Sequence, residues 1–198
     1  MAAERRAVVS RRTLETDIEI KLDLDGRGRA DVNTGIPFFD HMLHAFTRHG
    51  LFDLELKASG DLQVDQHHTV EDVGIALGQA LRQAVGDGAG LARFGSARVP
   101  MADALLQVDL DLSNRFYFVW NVELPREWVG QFDAELVEDF FYAFASNGGI
   151  DLHVQRVYGH NVHHVVEGLF KAAGRALSQA TRRDSRIEGA LSTKGTLV

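Results

Sequence analysis

The feature that most constrains this chain is an internal repeat. At an offset of 96, "HHTVEDVGIALGQALRQA" (67–84) meets "HHVVEGLFKAAGRALSQA" (163–180) without a gap. There His67, His68, Val70, Glu71, Ala76, Gly78, Ala80, Leu81, Gln83 and Ala84 face identical residues. At an offset of 98, "HAFTRHGLFDL" (44–54) meets "YAFASNGGIDL" (142–152), matching Ala45, Phe46, Gly50, Asp53 and Leu54. Two homologous halves follow. We read residues 1–11 as an N-terminal extension, 12–92 as the first half and 93–198 as the second, together one compact domain. "GDGAGLARFG", in the junction near 85–100, is short and still apolar, a connection rather than a disordered linker.

Each half repeats one order of elements. "LETDIEIKLDLD" (14–25) alternates Leu14, Ile18, Ile20, Leu22 and Leu24 with charged residues, which is strand periodicity. "DGRGR" is a turn. "PFFDHMLHAFTRHG" opens with Pro37 and stops at Gly50, as a helix does. "LFDLELK" is a second half-buried strand, and a helix runs from His67 or His68 to near Gly86. The second half repeats this with strands near 104–112 and 116–123, a helix at 134–146, a strand at 150–157 and a helix at 164–182. The class is α+β, with four long helices and two small sheets.

Length and composition set the limits. The 198 residues bury a substantial core. A net charge of −7 with no basic face argues against a general nucleic-acid or anionic-membrane binder. No apolar run approaches the roughly 18 residues of a membrane helix, and "MAAERRAVVSRR" has no apolar core of signal-peptide length. With no cysteine, any metal is held by imidazole and carboxylate. The expected location is the cytoplasm.

The paired histidines carry the chemistry. On a helix, residues four apart share a face, so His67 and Glu71 grip one ion. His68 is rotated by about 100° and points to another. His163, Glu167 and His164 behave alike. Two copies related by a pseudo-two-fold suggest a reciprocal arrangement, in which each ion takes the His/Glu pair of one copy and the odd histidine of the other. At offset 98, His41 corresponds to Asp139. That gives one set of His41, His68, His163 and Glu167, and another of His67, Glu71, His164 and Asp139. A lone histidine is more often solvated or packed in a core, and His44, His153 and His160 keep that reading. Adjacent histidines at a helix start have poor helix propensity and no packing reason to recur. The donor set suits Mn2+, Fe2+, Co2+ or Zn2+, and spacing does not choose among them.

At these residues the chain resembles the imidazoleglycerol-phosphate dehydratase family of histidine biosynthesis, in its single-function form. The likeness runs from about Arg12 to Leu197. It is carried by "TGIPFFDHMLHAFTRHGLFDLELKASGDLQVDQHHTVEDVGIALGQAL", "RFGSARVPM", "DLSNRFY", "HHVVEGLFKAAGRAL" and "STKG". The resemblance implies a four-helix layer between two four-stranded mixed sheets, a fold of the ribosomal-protein-domain type. It also implies two Mn2+ ions per active site, and 24 subunits built from metal-linked trimers with sites between subunits. The implied reaction is dehydration of imidazoleglycerol phosphate to imidazoleacetol phosphate. Metal on the imidazole ring favours its anionic form, the ring expels the C3 hydroxyl, a base takes the C2 proton, and the enol tautomerises.

The resemblance also assigns roles. Glu15, in "TLET", is the acid/base; alone it reads as the exposed side of an amphipathic strand. Glu71 and Glu167 join it among the catalytic residues. His41 and His49 contact substrate. Arg93, Arg115, Lys171, Ser192 and Lys194 surround the phosphate, which needs cations or helix-end amides. Taken singly, each of these cations is more often a solvated surface charge. Asp139, in "VEDFF", stands where histidine or glutamate is familiar in the family, Phe116 stands where proline is familiar, and "PMADAL" shifts the usual acidic pair. Two other readings use the same histidines: a non-catalytic assembly clamped by metal, and a di-metal hydrolase of another phosphorylated substrate.

Overall fold

The computed structural model describes residues 4–197. Its first half runs β1 (Arg6–Arg12), β2 (Thr16–Asp23), β3 (Ala30–Asn33), α1 (Pro37–Gly50), β4 (Asp53–Gly60), α2 (His67–Val85). The second runs β5 (Phe94–Met101), β6 (Ala104–Asp111), β7 (Tyr117–Asn121), α3 (Leu136–Gly148), β10 (Asp151–Tyr158), α4 (Val162–Ala180). A small hairpin, β8 (Trp128–Val129) with β9 (Phe132–Asp133), precedes α3. The sheets have the orders β1-β2-β4-β3 and β5-β6-β10-β7. In each, the last pair is parallel and the others antiparallel. The repeat extends to the register: Asp23 pairs with Asp53, and Asp111 pairs with Asp151.

The fold is α+β, with two four-stranded mixed sheets enclosing four helices. Alternation drives it: Ile18, Ile20, Leu22, Leu54 and Leu56 turn inward from one sheet, and Leu106, Val108, Leu110, Leu152 and Val154 from the other. α2 covers the first sheet and α4 the second, while α1 packs on α4 and α3 on α2. Those two helix pairs join the halves. Their close approach depends on repeat-equivalent glycines. A Cβ on Gly78 would lie 2.5 Å from the Phe144 carbonyl oxygen, and one on Gly174 would lie 2.3 Å from that of Phe46. Between the helices, Phe39, Phe140, Phe141 and Phe170 stack edge and face in a fully buried aromatic core.

Several expected elements are shifted. The strand drawn over 14–25 begins at Thr16, and Leu14, expected to face inward, is fully exposed in the β1–β2 turn. Residues 1–3 of the stretch read as an extension lie outside the described residues. Most of β1 falls in that stretch and pairs with β2. The junction near 85–100 holds β5, an edge strand whose inward residues Gly95, Ala97 and Val99 are small and whose Pro100 reads as a breaker. α1 runs through Gly50, and Leu51 takes the left-handed turn at φ 62°. Gly50 is needed instead for contact, since a Cβ there would strike the Phe52 ring at 2.1 Å. The helices expected at 134–146 and 164–182 start and end about two residues away from those limits.

Candidate functional site

The α1–α4 contact brings together His41, His163 and Glu167. The Glu167 carboxylate, nearly buried, lies 3.1 Å from Nε2 of His163 and 3.6 Å from Nε2 of His41. One ligand atom from each of the three lies within 4.8 Å of the others. Ligands bound to one ion at about 2.0–2.2 Å stand roughly 3–4 Å apart, so imidazole and carboxylate here fit a divalent cation. The other Glu167 oxygen accepts from Lys171 Nζ at 2.6 Å. Burial pushes this carboxyl upward. The hydrogen bond and charge of Lys171, with His163 and His41, outweigh burial and hold it below the usual glutamate range. Lys171 also reaches Met101 Sδ.

The α2–α3 contact builds the repeat-equivalent cluster. His67 Nε2 is 3.7 Å from Glu71, and its Nδ1 is 3.4 Å from Asp139. This cluster is more open, with each side chain almost half exposed. His67 meets Glu71 and Asp139 through different ring nitrogens, so this set lies side by side without gathering one ligand atom from each as the first cluster does.

The odd histidine of each copy stands apart from these clusters. His68 Nδ1 meets Asp61 at 3.0 Å, and its Nε2 faces Glu15 at 3.9 Å. The Asp61 hydrogen bond raises the His68 pKa against the effect of burial. Glu15, Asp61 and His68 also bring one ligand atom each within 4.8 Å. Glu15 belongs to the β1–β2 turn, not to a strand face. Thr16 Oγ1 and Arg11 both donate to the buried Asp72 of α2 and pin that turn over the His68 helix. His164 Nδ1 meets Asp103 at 2.6 Å. Asp103 also accepts from the His160 and Asn161 amides at 2.8 and 3.1 Å. Those amides with the His164 ring hold its carboxyl far below the usual range. Asp61, Asp72 and Asp103 were not among the residues singled out in the sequence. For Asp103 the signals were "PMADAL", noted for its shifted acidic pair, and position: it lies 88 residues after Glu15, as Asp111 does after Asp23.

The expected phosphate residues divide. Arg93, Arg115, Ser192 and Lys194 line a cavity of about 700 Å³ with Arg186. Arg93 is fully engaged there. It donates to both Asp111 oxygens at 2.6 and 2.7 Å and to the Leu191 carbonyl, and so straps down the C-terminal segment. Arg115 lies 3.6 Å from Asp151. Lys171 stays with the Glu167 cluster. His49, at the end of α1, has its pKa lowered by burial and then by Lys171 and Arg175. Among the described residues, no histidine lines the cationic cavity.

A two-repeat α+β protein with paired histidine–carboxylate clusters and a separate cationic cavity is thus defined by its fold and side chains. The imidazoleglycerol-phosphate dehydratase family profile matches residues 34–177. The chain belongs to that family. It is 56% identical to the imidazoleglycerol-phosphate dehydratase of Acetivibrio thermocellus over 98% of this chain and 100% of that one. It is 55% identical to that of Paracoccus denitrificans over the same shares. The crystal structure of the Staphylococcus aureus enzyme superposes with a TM-score of 0.82 at 36% identity, covering 90% of this chain and 99% of that chain. The Pyrococcus furiosus structure gives 0.82 at 34% identity, covering 95% and 99%. The described residues contain no helix long and apolar enough to cross a membrane.

Proposed function

We propose that this chain dehydrates imidazoleglycerol phosphate to imidazoleacetol phosphate in the cytoplasm, using two Mn2+ ions in each site of a 24-subunit assembly built from trimers. The observation that carries the reading is the His41/His163/Glu167 group, whose ligand atoms gather within 4.8 Å, together with the repeat-equivalent His67, Glu71 and Asp139, which lie beside one another; each set is short of one histidine. His68 would complete the first and His164 the second. Each is tied to an aspartate of its own half, so the missing ligand is best supplied by another copy of the chain. A divalent ion held there by these residues would supply Lewis-acid chemistry to the substrate imidazole.

The remaining work falls to the chain. Glu15, exposed in its turn beside His68, is the group that moves the proton between C2 and solvent. Lys171 and His49 hold the substrate between the clusters. Lys171 lowers the Glu167 pKa against burial and so favours the ionised form that a metal ligand needs. Arg115, Ser192 and Lys194 hold the phosphate, while Arg186 lines the cavity with its charge met by Asp184. Arg93, its charge already met by Asp111, shapes that cavity by holding the strap around Leu191 in place. One neighbouring copy brings its cationic cavity to the clusters of another.

Elemental analysis of metal-stripped protein refilled with Mn2+ tests the arrangement. Two ions per chain are expected, and fewer in a double His67→Ala/His164→Ala variant. A stoichiometry near zero, or full occupancy in the double variant, overturns it.

A further inference from the structure

The β1–β2 and β5–β6 turns occupy the same place in the two halves, and Glu15 and Asp103 occupy the same place in those turns. Their surroundings differ. Glu15 faces Nε2 of His68, whose Nδ1 is taken by Asp61. Asp103 instead takes Nδ1 of His164 at 2.6 Å. The repeat has therefore put one acid opposite Nε2 in one half and opposite Nδ1 in the other.

We propose that Asp103 is a positioning residue that holds the ring proton of His164 on Nδ1, so that Nε2 is left bare to bind a divalent ion. The inference rests on the metal reading of the clusters given above. A neutral imidazole carries one proton and offers its other nitrogen as ligand, so whatever accepts from the first nitrogen selects the second. Asp103 is well fixed for that task. Its Oδ1 receives the ring while its Oδ2 receives the His160 and Asn161 amides. Asn161 in turn caps α4 by accepting from the His164 amide at 3.1 Å. Ring and backbone of His164 are thus both tied to Asp103, the ring directly and the backbone through Asn161. Asp61 does the same for His68, with its own amide donating to the Glu15 carbonyl.

Two measurements test the inference. The first is nitrogen NMR of metal-free protein labelled with 15N-histidine, with the His164 signals assigned by a His164→Gln variant. The parent should show Nδ1 protonated and Nε2 bare at His164, and Asp103→Ala should lose that preference. An unchanged tautomer in Asp103→Ala overturns the inference. The second is Mn2+ titration. Removing such a partner costs about 10–100-fold in metal affinity, so Asp103→Ala should weaken one of two ions by that factor and leave the other unchanged. Asp103→Asn keeps an acceptor for the His160 and Asn161 amides, and it should show a smaller loss at the same site. It carries the test where the alanine variant does not fold. Parent protein that binds two ions, with both Asp103 variants binding them equally well, overturns the inference alone. Parent protein that binds none overturns the metal reading itself, while the tautomer result still decides whether Asp103 fixes the ring.

Discussion

Gly174→Ala tests the packing that assembles the first cluster. The added methyl would sit 2.3 Å from the Phe46 carbonyl oxygen and 3.1 Å from the Gly50 nitrogen. Favourable contacts between heavy atoms lie near 3.5–4.0 Å, and a helix backbone cannot swing aside as a side chain can. α1 and α4 must part by about 1 Å. Overpacking of this kind costs about 1–3 kcal/mol, and a backbone clash belongs at the upper end. Alanine returns about 1 kcal/mol in helix propensity. The net loss is about 2 kcal/mol, or roughly 4–8 °C in Tm for a chain of this size. The assay is thermal unfolding by circular dichroism in chelator, so that metal binding does not mask the change. Because the same two helices carry His41, His163 and Glu167, Mn2+ affinity at that cluster should fall as well. Gly78→Ala should act equally on α2–α3, where a Cβ would meet the Phe144 carbonyl at 2.5 Å. An alanine variant as stable as the parent in chelator refutes the reasoning.

Glu15→Gln should lower kcat by at least about 10²-fold while substrate binding and Mn2+ content are kept; turnover close to the parent's would make Glu15 only an exposed turn residue. Lys194→Ala should mainly raise KM, on the order of tenfold, because it weakens phosphate binding; steady-state kinetics separate the two effects. Asp25 has its carboxyl lowered by the Arg5 hydrogen bond against partial burial. A depressed folded pKa gives stability that is present above the unfolded value and is lost as pH falls through the folded one. The Tm gap between parent and Asp25→Asn should therefore be open at neutral pH and close in acid; a gap that widens in acid contradicts this. Chelation should lower the mass seen by light scattering and Mn2+ restore it, since ligands from two chains link metal binding to association. An unchanged mass in metal-free protein counts against shared sites.

The repeat made most of this molecule legible. It located both long helices of each half, and His67, Glu71, His163 and Glu167 fell where helical spacing puts them. His41 and Asp139 were reachable because the offset of 98 aligns α1 with α3. What stayed hidden has physical reasons. β5 buries Gly95, Ala97 and Val99, too small to signal a strand, and it contains a proline. Leu14 looked like an inward strand residue because alternation continues past the point where the chain turns. The aspartates that hold His68 and His164 come from turns, and one acidic residue in a turn reads like any solvated charge. The role of Arg93 was read through its motif. Its pairing with Asp111 depends on a strand register that only the folded sheet reveals.

Product analysis tests the central claim most directly. Protein stripped of metal, then refilled with Mn2+, is given imidazoleglycerol phosphate. The account predicts imidazoleacetol phosphate in equal amount to substrate consumed, only in the refilled protein, with no inorganic phosphate released. Two bound ions with no turnover, or release of inorganic phosphate instead, would contradict it.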